Sequence, residues 1–431
     1  MADIDRILVT GGPGERRLAL LAGDEIVEFV IDRFTPQTGD ILLGRVLPRP
    51  KGLSATFVEI GDAQPGFLGQ TSKAAEGEAI LVQVSAAARR HKGAALSARP
   101  TLPGRWLALD PRRVGVTLSR RIAEPAARQR LTALLTGLLN PGEGVVARSS
   151  APLASEAELA AELEALRRCW KAIERQAAEG RPPARLYAPD ALERCLRDWP
   201  AVIRVETDQP WLLAEARRFS PAAVLVPRGW EESRAADLLE DCLERRVALP
   251  GGGFLVIDET EALTVIDIDS GGRPPMEANR AALAEIARHL RLRGLAGHIV
   301  IDVIPPVGKA EMAAWLDELA ALLADDPTPT QMVGATRTGL VELTRERRRP
   351  SLSELFLCET APRRDPRGLA LDALRAALDA ADCQLAAEPA VIQYLQSRPD
   401  LLAEFQSRMG RPLALRAEAG MTGYTLSGLS S

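Results

Sequence analysis

Apolar and polar residues alternate from the start of the chain. RILV, RRLALLA and EIVEFVI form three runs separated by the turn sequences GGPG and AGDE. Period two with glycine-rich breaks predicts a three-stranded β-meander. From Gly39 the runs shorten: GDILLGRVLPRPKGLSATFVEIGDAQPGFL, continued by ILVQVSAAARRHKGAALSA, holds five short alternating segments with glycine at the turns. That spacing predicts a small barrel. The pattern then turns helical in VGVTLSRRIAEPAARQRLTALLTGLL and extended in GEGVVARSS. A long helix follows from Ser155 to about Glu179, opened by SEAE, a serine N-cap with acids in the first turn. RLYAPDALERCLRDWPAVIRVETD and the segment up to Leu249 alternate helix and strand, an α/β arrangement.

Between Phe254 and Ile304 the alternation acquires chemistry. FLVIDETEALTVIDIDSGG and GHIVIDVI are apolar, β-branched runs that carry Asp267, Asp269 and Asp302 at their ends. Asp267 and Asp269, two apart on one strand, point to the same face. The connecting segment, about Glu277 to Arg293, carries Leu283, Ile286, Ala287 and Leu290 at helical spacing. A strand, helix and strand joined this way form a parallel, right-handed unit with both carboxyl ends at one sheet edge, so three carboxylates are expected to meet there. Oxygen-only clusters suit a hard cation such as magnesium, which takes one or two carboxylates, several waters and substrate phosphates. Ordinary strand capping by acidic residues is the alternative for any single Asp.

The 431 residues suggest two to four domains, and 46% apolar content is ample for their cores. With 54 basic and 58 acidic residues the net charge is −4, so any polyanion site has to be a local patch. Five cysteines, Cys169, Cys195, Cys242, Cys358 and Cys383, include no CxxC pair, and with three histidines they give neither a zinc site nor a disulfide framework. The N-terminus MADIDRILV has no leader pattern, and no run of about 18 apolar residues occurs. A cytoplasmic location is expected.

Local patches do exist. Phe57 and Phe67 fall on successive strands of the barrel with Lys92 on a later one. Stacking of bases on the two rings and burial of both rings as barrel core are both open on pattern alone. Arg148, Ser149 and Ser150 end a strand, where a guanidinium fork and hydroxyls could hold a phosphate. In QMVGATRTGLVELTRERRRPSL, Arg337 ends one element, while Arg345, Arg347, Arg348 and Arg349 form a basic helix end suited either to a nucleic-acid backbone or to solvent. GGPGER lacks the Lys and Ser/Thr of a P-loop and reads as a turn. CETAPRRDPRG reads as a linker, and the rest, from Leu369, as helix, strand, helix, strand.

The order of these pieces resembles the ribonuclease E/G family over essentially the whole chain. The motifs that carry the likeness are GRVLPRPKGLSATFVEIG with PGFL, KGAALS followed by LPGRWLALDP, VGVTLSRRI, GVVARS, GGGFLVIDETEALTVIDIDSG, HIVIDVI and RTGLVELTRERRRPSL. The resemblance implies a mixed α+β and α/β multidomain fold. Its parts are a ribonuclease H-like subdomain (1–34 and 184–249), an inserted S1-type OB-fold barrel (35–116) and a 5′-sensor region (117–183). They continue with a deoxyribonuclease-I-like catalytic subdomain (250–357), a linker (358–368) and a small C-terminal α/β domain (369–431). It also implies that Asp267 and Asp302 bind magnesium, and that Asp269 stands where the family usually has a ligand-orienting Asn. By the same likeness Phe57, Phe67 and Lys92 hold RNA near the cleavage site, while Arg148 and Ser149 match the Arg-Thr pair that senses a 5′-monophosphate. Arg337 or Arg345 would assist electrostatically. The implied activity is magnesium-dependent hydrolysis of single-stranded RNA, ribosomal precursors or mRNA, leaving 5′-phosphate and 3′-hydroxyl ends.

Three departures stand out. The family's CPxC zinc link is replaced by LFLCETAPRR with Cys358 alone, so zinc is not expected and a homodimer, if formed, lacks that link. Pro305 in IDVIPP stands where the second acidic motif commonly continues with another Asp, and Asp269 adds a charge beside the metal position. These changes leave a second reading, a divergent member that binds RNA or a partner protein with little or no nuclease activity.

Overall fold

The computed structural model describes residues 4–48, 55–69, 74–89, 92–199, 202–305, 308–324, 326–358, 363–380 and 383–428. The chain divides into two compact units, 35–200 and the combination of 1–34 with 201–431.

In the 35–200 unit the short alternating strands close a five-stranded barrel. Ile41–Val46 pairs with Thr56–Glu59 and also with Ala79–Ala86, and the ring is completed through Gly66–Leu68 and Ala95–Ser97. Alternation decides what fills it: Leu42, Val58, Ile60, Leu68, Val82, Val84 and Leu96 face inward. The barrel is shorter than the 35–116 span the sequence suggests. Leu102–Pro103, Leu107–Asp110 and Gly115–Leu118 leave it for a four-stranded sheet with Gly144–Ala147. The helices Pro125–Leu138 and Glu156–Glu179 share a core with that sheet built on Leu107, Leu109, Leu131, Leu135, Val145, Leu159 and Leu163. The expected N-cap forms as a capping box: Ser155 Oγ accepts from Glu158 N at 3.3 Å, and Glu158 Oε2 accepts from Ser155 N at 2.8 Å. The strand Ala184–Tyr187, expected in the α/β region, instead adds to the barrel strand Ile41–Val46.

The other unit holds three sheets. The meander Arg6–Gly12, Glu15–Ala22 and Glu25–Asp32 is extended by Arg204–Thr207 and Val224–Leu225, both in parallel register on the side of Arg6–Gly12. The second sheet has six strands in the order Arg246–Ala248, Phe254–Glu259, Leu263–Asp269, Gly297–Asp302, Leu340–Arg345, Thr330–Ala335. Its first strand precedes the expected boundary at 250. One pair is parallel, Leu263–Asp269 with Gly297–Asp302, and the helix Pro275–Leu292 crosses between them as the apolar spacing predicts. The third, small sheet is Ala414–Ala417, Cys383–Ala387, Tyr424–Gly428.

The C-terminal segment has its own core, built on Leu371, Leu374, Leu385, Ile392 and Phe405, and is tied to the meander by charge. Its first helix starts at Pro366, inside the expected linker, capped by Asp365, whose carboxylate accepts from Arg367 N and Gly368 N. Asp372 on that helix pairs with Arg17 and Arg364. Arg17 and Arg33 in turn clamp Glu15, at 2.5 and 2.7 Å, and the guanidiniums of Arg17, Arg33 and Arg364 lie 5.1, 4.8 and 5.0 Å from the ring centroid of the buried Phe356. A charged cluster thus links the meander, the Leu352–Phe356 helix and the helix Pro366–Leu378. Residues 359–362 of the expected linker lie outside the described residues.

Candidate active site

One face of the six-stranded sheet forms a core. Leu255, Ile257, Ile266, Ile268, Ile299, Ile301, Val341 and Leu343 pack under the helices Pro275–Leu292 and Lys309–Leu323. The alternate positions form the open face, and there the sequence places acids. Asp267 and Asp302 are both exposed and stand in register on the parallel pair, strands about 4.8 Å apart. Asp269 shares the face with Asp267, two residues on. Its Oδ1 accepts from Gly271 N at 2.8 Å, closing the turn after the strand.

The expected meeting of three carboxylates therefore resolves into two in register and a third committed to a turn. Among the described residues, no three His, Cys, Asp or Glu side chains form a chelating group. The turn leaves little freedom: a Cβ on Gly253 (φ +80°) would come 2.3 Å from Asp269 O, and one on Gly271 (φ +59°) 2.5 Å from Gly253 N. Arg273 ties the two turns together, Nη1 donating to Pro250 O at 2.8 Å. Only the acceptor oxygen is used in the Asp269 turn, a part that Asn and Asp play equally.

Behind Asp302 the loop is held by Asn279, whose side chain is buried on the crossover helix. Nδ2 donates to Ile304 O and Oδ1 accepts from Ile304 N, both at 3.0 Å, and Trp315 Nε1 donates to Asn279 O at 2.8 Å. Sequence reading overlooked this residue because an Asn inside a helical run gives no signal by itself. Asn279→Ala should lower the unfolding free energy by about 1–3 kcal/mol, since both Ile304 groups lose their partner. Urea unfolding checks this, and a change under about 0.5 kcal/mol would show that the clamp is dispensable.

Cations border the carboxylates. Arg245 grips Asp258 through Nε and Nη2 at 2.5 and 2.6 Å. Its bonds to Asp258, with attraction to Asp267 added, hold the guanidinium above its ordinary value. Asp258 is held below the usual carboxylate range by the same bonds, against its partial burial.

The basic segment after this sheet is not a helix end. Leu340–Arg345 is a strand, and Arg337 is exposed in the hairpin turn before it. Arg345 is withdrawn as a nucleic-acid contact: its side chain is buried, donating to Asp326 Oδ2 and Leu295 O, each at 2.7 Å. Arg347 pairs with Glu354, and Arg349 with Glu28.

In the 35–200 unit, Phe57 and Phe67 are register partners on adjacent strands, with ring centroids 5.8 Å apart and planes at 64°. They alternate with the inward Val58 and Leu68, and Phe67 is 40% exposed, so they lie on the outer face and not in the barrel core. Lys92 is exposed, next to the barrel strand Ala95–Ser97. Arg148 is bound through Nη2 to Asp198 at 2.7 Å and through Nη1 to Gly104 O, while Ser149 is exposed. Burial works to raise the Asp198 carboxyl, but Arg197 and Arg148 outweigh it and hold it below its ordinary range. Cys358 Sγ lies 3.5 Å from Arg364 O. Among the described residues, no helix is long and apolar enough to cross a membrane.

The ribonuclease E/G family model matches residues 101–348. Ribonuclease E of Nostoc sp. (strain PCC 7120 / SAG 25.82 / UTEX 2576) is 34% identical over 379 residues, 78% of this chain and 55% of that protein. Ribonuclease E of Synechocystis sp. (strain ATCC 27184 / PCC 6803 / Kazusa) is 32% identical, covering 77% of this chain and 56% of its own length. Ribonuclease G of Escherichia coli (strain K12) is 32% identical over 412 residues, 84% of this chain and 83% of that protein. The chain thus spans little more than half of the two ribonuclease E relatives and most of the ribonuclease G.

Proposed function

The chain belongs to the ribonuclease E/G family, and from that premise we propose that it is an endoribonuclease of single-stranded RNA whose reacting centre is the pair Asp267 and Asp302. The observation that carries this reading is the register pairing of two exposed carboxylates at the ends of the two parallel strands, on the face opposite the apolar core. Their donor set fits a magnesium ion, offering hard oxygens from one side and leaving the other to water and phosphate. When bound there, the ion would supply Lewis-acid neutralisation of the phosphodiester and a more acidic water. The protein's own part is to fix the two carboxylates through strand pairing and the Asn279 clamp. Hydrolysis of this kind leaves 5′-phosphate and 3′-hydroxyl ends.

The sheet order with Glu15–Ala22 antiparallel and Arg204–Thr207 parallel to Arg6–Gly12 supports a ribonuclease H-like subdomain. The six-stranded sheet is its deoxyribonuclease-I-like counterpart, and the barrel is S1-type. Phe57, Phe67 and Lys92 would grip RNA, with Arg337 available to its backbone. Arg148 and Ser149 would receive a 5′-monophosphate, which has to share the guanidinium with Asp198. Precursors of ribosomal RNA or mRNA are the proposed substrates, in the cytoplasm. The retained pair Asp267 and Asp302 favours cleavage over the reading of a binder without activity.

Gel analysis of a fluorescent RNA with magnesium tests the proposal: fragments that cease to form when EDTA is added are expected, and intact RNA contradicts it. Phe67→Ala should weaken RNA affinity by about 1–3 kcal/mol, the contribution of one stacked base, measured by fluorescence anisotropy. Unchanged affinity would remove the ring from the binding face. With Cys358 alone in place of a CPxC pair, zinc chelation should leave the sedimentation coefficient unchanged; a shift would show that the thiolate does ligate metal.

A further inference from the structure

The open face that carries the aspartates also carries an aromatic and a guanidinium that none of the chemistry above uses. Phe254 is the register partner of Asp269 across the antiparallel pair, and Val256 that of Asp267. Phe254 is therefore the diagonal neighbour of Asp267 on the same face, with Cβ atoms about 7–8 Å apart, within reach of an aromatic ring. Arg246, on the edge strand, is the register partner of Val256 and so stands on this face too. Its guanidinium lies 4.6 Å from the Phe254 centroid.

Phe254 is half-buried and Arg246 exposed. Among the described residues Arg246 has no carboxylate within ion-pair distance, unlike Arg245 beside it, which is spent on Asp258. A charge held by stacking alone, on a sheet face facing solvent, keeps its donors and its second planar surface open. Guanidinium planes and aromatic rings are the surfaces on which unstacked bases of single-stranded RNA settle.

We propose that Arg246 and Phe254 form a stacking platform for a base adjacent to the scissile phosphodiester, a positioning and specificity element on the catalytic sheet itself. The proposal rests on the reading of Asp267 and Asp302 as the cleavage centre. The platform orients the nucleotide so that its phosphate lies over the carboxylate pair, and because every base has a π-face it selects for the presence of a base more than for its identity.

The test uses the full chain with RNAs carrying one 2-aminopurine, or one abasic nucleotide, at successive positions within two nucleotides of the cleaved bond. The binding arm is run in an Asp302→Asn background so that the RNA stays intact. Stacking should quench 2-aminopurine at one of these positions, and Phe254→Leu or Arg246→Lys should restore its fluorescence. In the cleavage arm an abasic nucleotide at that position should slow the wild-type chain about tenfold, mainly through kcat, while slowing Phe254→Leu by less than twofold. Arg246→Lys keeps the charge and the fold, so loss of the preference there isolates the planar stack. Equal quenching in the Asp302→Asn chain and in both variants made on it overturns the proposal, as does absence of quenching at every position. If the RNA is quenched on binding but never cut, the platform stands as a binding element and the cleavage reading fails.

Discussion

Asp302→Asn should cleave single-stranded RNA at least about a hundredfold more slowly than the wild-type chain while binding it equally well. Loss of one preorganised group that stabilises developing charge typically costs 10²–10³-fold in rate, and here the lost group is half of the carboxylate pair. The amide keeps the shape but gives up the negative charge that would hold a divalent cation. Asp302 is exposed on the open face, outside the core beneath the sheet, so the variant should fold with stability within about 0.5 kcal/mol of wild type. Asp267→Asn should behave alike, being its register partner. Asp269→Asn should cost far less, because the bond it makes to Gly271 N needs only an acceptor oxygen. Single-turnover cleavage of one labelled RNA by the three variants checks the order; equal rates for all three would remove the pair from the chemistry.

The largest effect on folding is expected at Glu15. Its two oxygens are divided between Arg17 and Arg33 in a buried site, and Arg17 also pairs with Asp372 on the helix Pro366–Leu378. Glu15→Gln leaves two buried guanidiniums short of a counter-charge, and breaking one member of such a cluster costs about 3–5 kcal/mol. Burial works to raise the Glu15 carboxyl, but Arg17 and Arg33 outweigh it and bring it down from 4.5 to about 2. A group whose folded value is depressed contributes stability above its unfolded value and loses it as pH falls. The wild-type chain should therefore lose this contribution between about pH 4.5 and 2, and Glu15→Gln should lack that part of the acid dependence. Urea unfolding at pH 7 and at steps below pH 4.5 measures both; a loss under about 1 kcal/mol at pH 7 would show that the cluster is not a structural link.

Much of the site could be read from spacing alone. The i, i+2 spacing of Asp267 and Asp269, a helical crossover and a second run ending at Asp302 are enough to predict a parallel pair with carboxylates on one edge, because strand periodicity and crossover handedness are local rules. What local rules do not give is the partner of a charge. Arg345 opens a basic run and reads from sequence as a nucleic-acid contact, yet it is buried because Asp326 and Leu295 O stand ready for it from other elements. Arg17 and Asp372 lie 355 positions apart, and nothing in either neighbourhood announces the other. The same limit applies to the C-terminal segment: its own core follows from its apolar spacing, but its link to the meander through Asp372 and Arg17 does not.

The barrel phenylalanines were undecidable for a different reason. Alternation fixes which residues share a face but not which face is the inside, and only the closing of the strands around Val58 and Leu68 turns Phe57 and Phe67 outward. Phe254 and Arg246 were invisible for the same cause: their significance depends on register with Asp269 and Asp267, which a sequence does not print.

The central claim, hydrolysis at the Asp267 and Asp302 pair, is tested most directly by the chemistry of the product ends. A 5′-monophosphorylated single-stranded RNA, labelled at its 3′ end, is incubated with the wild-type chain and magnesium, and the downstream fragment is treated with an exonuclease that requires a 5′-phosphate. A labelled downstream fragment fully degraded by that exonuclease is the predicted result; uncut RNA after incubation with the chain, or a downstream fragment with a 5′-hydroxyl end that resists the exonuclease, would contradict the account.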